Sequence, residues 1–353
     1  MKNLNINTSF QLNGKSFSSV EELLVFSEGL SASTHQFLKN LFSEDDFITI
    51  QTSGSTGKPK LISVQKEFMI NSALATGKFF DLSEKTTALL CLSTEYIAGK
   101  MMLVRALVLG WELDVIDSIS FPLRGIKKQY DFTAMVPMQL QNSLGDLHKI
   151  KKMIVGGGVV SKELENQLQN ISTAVFATYG MTETVTHIAV KKLNNFSSLR
   201  GGMTKQSVYQ ALSDIAISQD ERKCLVIDAP KVASEKIVTN DVVRLVSKTQ
   251  FEWLGRYDNV INSGGVKLHP EVIEKKLSKM ITQRFFVAGI SDVVLGEKLI
   301  LVIEGKESEI NLNRVSSLTK FEIPKDFFFV AQFVETATKK VQRKKTLSLL
   351  VKE

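Results

Sequence analysis

Residues 51–60 read QTSGSTGKPK. Thr52, Ser53, Ser55 and Thr56 supply hydroxyls, Gly54 and Gly57 leave the main chain open to a ligand, and Lys58 and Lys60 carry charge. Hydroxyls and exposed amides donate to phosphate oxygens, and glycine lets a polyanion approach the backbone. A flexible surface turn is the competing reading of such a run. A Walker A loop is excluded. That loop needs four residues between its glycines, Ser or Thr after the Lys, and a helix beyond. Here Gly54 and Gly57 are separated by Ser55 and Thr56, Pro59 follows Lys58, and KLISV reads as a strand. Other segments carry groups that could act beside a phosphate: IVGGGVV at 154–160, YGMTET at 179–184, an acid and an arginine in TNDVVRL and WLGRYDN, and the lysine-rich TATKKVQRK at 336–344.

Taken in order, TSGSTGKPK, YGMTET, TNDVVRL with WLGRYDNVINSGGVKLHPEVIE, and TATKKVQRK resemble the motifs of the adenylate-forming superfamily. That superfamily holds acyl-CoA ligases, peptide-synthetase adenylation domains and luciferases. The resemblance runs from about Phe47 to the last residue. It implies an α/β fold with a large N-terminal layered domain, a β-rich subdomain and a small mobile α+β C-terminal domain. It also implies a reaction in which a carboxylate joins the α-phosphate of ATP and the acyl group then passes to a thiol. By the resemblance, Thr52, Ser53, Gly54, Ser55, Thr56 and Gly57 hold the β- and γ-phosphates, with Lys60 as added charge. Tyr179 and Gly180 face adenine, Thr182 contacts the α-phosphate, and Glu183 binds Mg²⁺, which takes one or two carboxylates together with phosphate oxygens and water. Gly156, Gly157 and Gly158 form a turn beside adenine and the acyl group; a plain strand-to-helix turn is the alternative. Asp241 takes the ribose hydroxyls and Arg256 the ribose or a phosphate. Asp258 is the hinge, dividing residues 1–257 from 258–353. Lys340 bridges carboxylate and phosphate in the first half-reaction; Gly264, Gly265 and Lys267 enter for CoA in the second. The chain departs from the pattern at Asn240 and Lys339, where the family has Gly. The second departure leaves Lys339 as an alternative to Lys340.

YIAGKMMLVRALVLGW and YGMTETVTHIAV, with only residues 1–51 before the phosphate loop, resemble the compact 2-succinylbenzoate–CoA ligases of menaquinone biosynthesis. That acid has a second carboxylate, which calls for a cation. Arg105, inside an apolar helix, is the candidate; a side chain snorkelling to the surface is the other reading. His187 either lines the acyl pocket or simply occupies a strand. Another aryl or acyl acid, or a carrier protein in place of CoA, are the rival assignments. The short N-terminal part raises a homodimer covering an exposed sheet as an expectation.

These residues need elements to position them. SFQLNGKSF reads as a hairpin around Asn13-Gly14, followed by a helix capped by Ser18 or Ser19 with Glu21 or Glu22 three residues on. FITIQ reads as a buried strand entering the phosphate loop and KLISV as the strand leaving it. Beyond them the apolar runs TALLCL, ELDVI, TAMVP, KMIVGG and TAVFATYG alternate with helices over about 66–79, 97–109, 137–144 and 161–168, the pattern of a layered α/β sheet. After Asn194 the runs predict antiparallel strands. Past Asp258 come a helix over 270–280, strands at RFFVAGI, KLILVIEG and DFFFVAQFV, and a helix over 311–318.

Composition bounds the partners. The 353 residues carry 44 basic and 37 acidic side chains, a net +7 that suits anionic small molecules. No basic face interleaved with aromatics points to nucleic acid. Cys91 and Cys224 lie far apart without zinc or disulfide spacing, the usage of a reduced, cytoplasmic compartment. The start lacks a signal-peptide core, and the most apolar run, MMLVRALVLGW, is too short for a membrane span.

Overall fold

The computed structural model describes residues 5–51, 61–195, 208–307, 318–336 and 341–350. Its centre is five parallel strands, in spatial order Glu112–Val115, Thr87–Leu90, Tyr130–Met135, Ile150–Val155 and Ala174–Gly180. Parallel strands need crossovers and are covered on both faces, and alternation along each strand sends side chains to two cores. Ala88, Leu90, Phe132, Ala134, Ile154 and Phe176 pack on one face with the helices Lys66–Phe80 and Ile97–Leu109. Leu89, Met153, Val155, Val175 and Ala177 pack on the other with Leu140 and Leu164, from the helices Pro137–Asn142 and Lys162–Gln167.

The sheet does not stop at Gly180. His187–Lys192 pairs antiparallel with Ala174–Gly180, and Tyr209–Ala211, Gln250–Arg256, Ile237–Ser247, Cys224–Asp228 and Ala216–Gln219 follow as one antiparallel continuation. At the opposite edge the hairpin Gln11–Leu12/Lys15–Ser16 turns on Asn13 and Gly14, both at positive φ, and completes a thirteen-stranded sheet. The following helix, Val20–Ser27, is capped as expected: Ser19 accepts from Glu22 N while the Glu22 carboxylate accepts from Ser18 N.

Phe47–Gln51 and Leu61–Gln65 pair only with each other among the described residues. The expectation of a wholly buried strand fails there: Ile48 and Ile50 are buried, while Phe47, Thr49 and Gln51 are exposed. The chain after Tyr257 forms a separate sheet with its own core. Its strands Ile261–Ser263, Val266–Leu268, Phe285–Asp292, Gly296–Glu304 and Asp326–Val330 pack against the helix Pro270–Leu277. The strand Asp326–Val330 runs parallel to Gly296–Glu304. The helix expected over 311–318 lies almost wholly outside the described residues.

Candidate active site

The strand Ala174–Gly180 delivers Tyr179 and Gly180 to its C-terminal end, the end of a parallel sheet where ligands bind. Gly180 is set by close approach: a Cβ there would lie 2.2 Å from Thr186 O and 2.5 Å from the His187 Cα. Thr182–Thr184 then forms a 3-10 turn that closes on Val185, at φ 63 and ψ −58. Thr186 N donates to Thr184 O at 2.6 Å, so Val185 centres a three-residue γ-turn of the rare hand. A β-branched residue in that conformation is strained, and the strain sits directly after Thr182 and Glu183. The Glu183 carboxylate is exposed and engages no partner among the described residues. No cluster of three or more His, Cys, Asp or Glu forms a metal cage among them either. A lone free carboxylate suits a Mg²⁺ that draws its other ligands from phosphate and water. The strand Leu61–Gln65 packs against this same turn. Thr52, Ser53, Gly54, Ser55, Thr56, Gly57 and Lys60 lie outside the described residues, between that strand and its partner Phe47–Gln51.

Two side-chain donors and a more distant cation converge on Asp241, which is buried in the strand Ile237–Ser247. Tyr179 Oη donates to Oδ2 at 2.6 Å, Trp253 Nε1 donates to Oδ1 at 3.1 Å, and Arg256 Nη1 stands 3.6 Å from Oδ1. Burial first, and then the Asp241 carboxylate, push the Tyr179 phenol well above its usual range, so it stays a donor. The Tyr179 ring is held by Tyr209 and Phe251, with centroids 5.8 and 5.2 Å away. The glycine turn faces the ends of neighbouring strands. A Cβ at Gly156 would lie 2.6 Å from Thr178 Oγ1, whereas Gly157 and Gly158 are exposed.

Arg105 does not snorkel. It is 1% exposed in the helix Ile97–Leu109, where Met101 through Leu107 are all buried. Its Nε donates to Thr76 Oγ1 at 3.2 Å, and Nη2 lies 3.5 Å from both Thr186 Oγ1 and His187 Nδ1. No carboxylate pairs with it among the described residues, and residues 52–60 and 196–207 contain no Asp or Glu. Burial lowers its pKa to about 9, which still leaves a cation at neutral pH. His187, 5% exposed, is pushed well below its usual range by burial and then by the Arg105 charge. A neutral ring with Nδ1 toward Arg105 carries its proton on Nε2, 3.5 Å from Thr76 Oγ1.

The remaining candidates are dispersed. Asp258 is exposed beside Arg256, 3.7 Å away, and Asn240, whose Nδ2 is 3.5 Å away. Gly264 and Gly265, at φ 56 and 80, form the tip of the hairpin Ile261–Ser263/Val266–Leu268, and Lys267 is exposed on its second strand. Lys340 lies outside the described residues, beyond Glu335 and before Val341, which pair with each other. Trp253, Thr76 and Thr186 were not singled out from sequence. They come from separate elements, and no spacing links them to the residues they hold.

Residues 5–214 match the AMP-binding enzyme family. The 2-succinylbenzoate–CoA ligase of a Geobacillus species is 25% identical over 345 residues, covering 87% of this chain and 70% of that protein. A solved structure from Dyadobacter fermentans, described as an acyl-CoA synthetase (AMP-forming)/AMP-acid ligase II-like protein, is 37% identical with a TM-score of 0.61. That match covers 90% of this chain and 94% of the other. The O-succinylbenzoate coenzyme A synthetase of Bacillus subtilis, solved with ATP and magnesium ion, superposes with a TM-score of 0.69 over 95% of this chain and 83% of its own. At 20% identity that likeness is one of fold.

Proposed function

The chain belongs to the AMP-binding enzyme family, and from that premise we propose that it is an AMP-forming acid–thiol ligase whose acid is 2-succinylbenzoate and whose thiol is CoA. In the first half-reaction a carboxylate oxygen of the acid attacks the α-phosphorus of ATP. The bond to pyrophosphate breaks, leaving an acyl-AMP. Residues 52–57 and Lys60 grip the departing phosphates, Thr182 donates to the α-phosphate, and Lys340 neutralises carboxylate and phosphate as they meet. Mg²⁺ held by Glu183 would supply charge neutralisation on the phosphate oxygens. Tyr179 and Gly180 shape the adenine site, with Gly157 and Gly158 opposite; Asp241 and Arg256 take the ribose side. In the second half-reaction residues 258–353 turn about Asp258, and Gly264, Gly265 and Lys267 come to the site. The CoA sulfur attacks the acyl carbon, the carbon–oxygen bond to AMP breaks, and the thiol proton leaves to solvent.

The buried guanidinium of Arg105 carries the choice of acid. A cation removed from water without an anionic partner is costly, and a substrate carboxylate at Nη1 and Nη2 offsets that cost. Nε is already taken by Thr76, while Nη1 makes no hydrogen bond among the described residues. The end-on edge is therefore the one offered. With Gly156 and His187, Arg105 then forms the acyl end of the site. The names of the relatives support the same acid. ATP–pyrophosphate exchange driven by a panel of acids tests the reading. Exchange driven by 2-succinylbenzoate but not by benzoate or fatty acids is expected; exchange driven by a monocarboxylate alone overturns the choice of acid.

A further inference from the structure

We propose that Trp253 is a positioning residue for the nucleotide: its indole N–H and the Tyr179 hydroxyl together fix the Asp241 carboxylate, leaving a lone pair on each oxygen for the ribose 2′- and 3′-hydroxyls. The proposal rests on the AMP-forming reading and adds a residue to its nucleotide site. An aspartate side chain left to itself rotates broadly about its terminal torsion. Here each oxygen is held once, Oδ2 by Tyr179 at 2.6 Å and Oδ1 by Trp253 at 3.1 Å. Each carboxylate oxygen has two acceptor positions, so one remains on each for a diol. Arg256 does not do this work. At 3.6 Å from Oδ1 and 47% exposed, its guanidinium lies beyond hydrogen-bond reach. The main chain is fixed separately, by Asp241 N donating to Thr239 Oγ1 at 3.1 Å.

A break in strand register brings the indole to the right face. Along Ile237–Ser247, Asp241 and Val243 share a face because side chains alternate. The paired strand runs Asp241↔Arg256, Val242↔Gly255, and then skips Leu254 to Val243↔Trp253. Without that bulge Leu254 would oppose Val243, and Trp253 would oppose Arg244 on the other face. Bulges re-aim side chains in this way and gather beside functional sites.

The test is the binding of ATP, 2′-deoxy-ATP and 3′-deoxy-ATP to wild type and Trp253→Phe. The variant keeps an aromatic ring and loses the donor. It is expected to bind ATP about tenfold more weakly, the size of a hydrogen bond to a charged acceptor, and to lose much of the preference for ATP over the deoxy analogues. A residue that only packs would weaken all three nucleotides alike; an unchanged preference overturns the proposal. Wild-type protein that binds no ATP overturns the AMP-forming reading itself. A second measurement does not depend on the folding of Trp253→Phe. The chain has two tryptophans, and the indole N–H of Trp111 is buried without a hydrogen-bond partner among the described residues. The Trp253 indole resonance is therefore expected to be the one that moves in Asp241→Asn and on addition of AMP. An unmoved resonance overturns the proposal.

Discussion

Arg105 and His187 face each other inside the fold, and both ought to be measurable there. Replacing Arg105 by Met removes a buried charge that has no carboxylate partner among the described residues. Even a buried ion pair replaced by well-packed apolar residues is often neutral or stabilising by about 1–4 kcal/mol, and a cation without a carboxylate has less attraction to lose, so R105M should melt no lower than wild type without ligand. With 2-succinylbenzoate its KM should rise by at least about thirtyfold, as expected for loss of one side of a buried charge pair, while the KM for ATP is spared. Thermal melts and the two KM values check both halves. His187 predicts a pH dependence. The fold keeps it neutral, while the unfolded chain titrates near 6.5. Below pH 6.5 the unfolded chain binds a proton that the fold refuses, so this contribution to stability is complete above 6.5 and is lost as pH falls. Denaturant titrations should show that slope in wild type and less of it in H187N. The residues proposed to touch nucleotide could be named from sequence because they sit in contiguous runs: YGMTET places Tyr179, Thr182 and Glu183 within one strand end and its turn. Thr76 and Trp253 were not, because what they do depends on residues 29 and 12 positions away, on other elements.

Local rules fixed most of the elements. Asn13-Gly14 gives its hairpin because both residues accept positive φ. The helix Ile97–Leu109 ends where Gly110 takes a left-handed conformation at φ 69. Long-range pairing was less visible. Nothing in the apolar runs says that the antiparallel strands continue the parallel sheet, or that Asp326–Val330 joins its neighbour in parallel. The contact between the strand Gln250–Arg256 and the helix Pro270–Leu277 is also a product of packing. Gly255, at φ 138, leaves room for the Glu271 carboxylate; a Cβ would stand 2.2 Å from its Oε2. Asn259 donates to the other oxygen at 2.6 Å. G255A should therefore cost about 1–3 kcal/mol from backbone conformation and crowding together. E271A in the same chain should recover the crowding part. Chemical denaturation of both single variants and the double variant measures it; strict additivity would contradict the contact.

Across the whole molecule, the proposed chemistry is divided between the regions of two sheets. The thirteen-stranded sheet holds Tyr179 and Asp241, with Glu183 on the turn that follows one strand and Arg105 on a helix packed against its face, and the smaller sheet carries the Gly264-Gly265 tip and Lys267. The region after Asp258 is read as serving each half-reaction in turn, so its lysines should separate the two. K340A should cut pyrophosphate exchange by at least about a hundredfold, as for loss of a donor to transition-state charge. K267A should leave exchange intact and raise the KM for CoA. The proposed division follows the order of the motifs along the chain. The proposed phosphate grip rests on QTSGSTGKPK alone, since residues 52–60 fall outside the described structure. What sequence could not supply was the depth at which Arg105 lies, which is what makes an apolar-helix arginine the proposed partner of a substrate carboxylate. The most direct measurement is to incubate the purified protein with ATP, Mg²⁺, CoA and 2-succinylbenzoate and identify the products by mass. AMP and the mono-CoA thioester of 2-succinylbenzoate are expected, in equal amounts and dependent on Arg105. Release of ADP, or thioester formation from benzoate with 2-succinylbenzoate left untouched, would contradict the proposed activity.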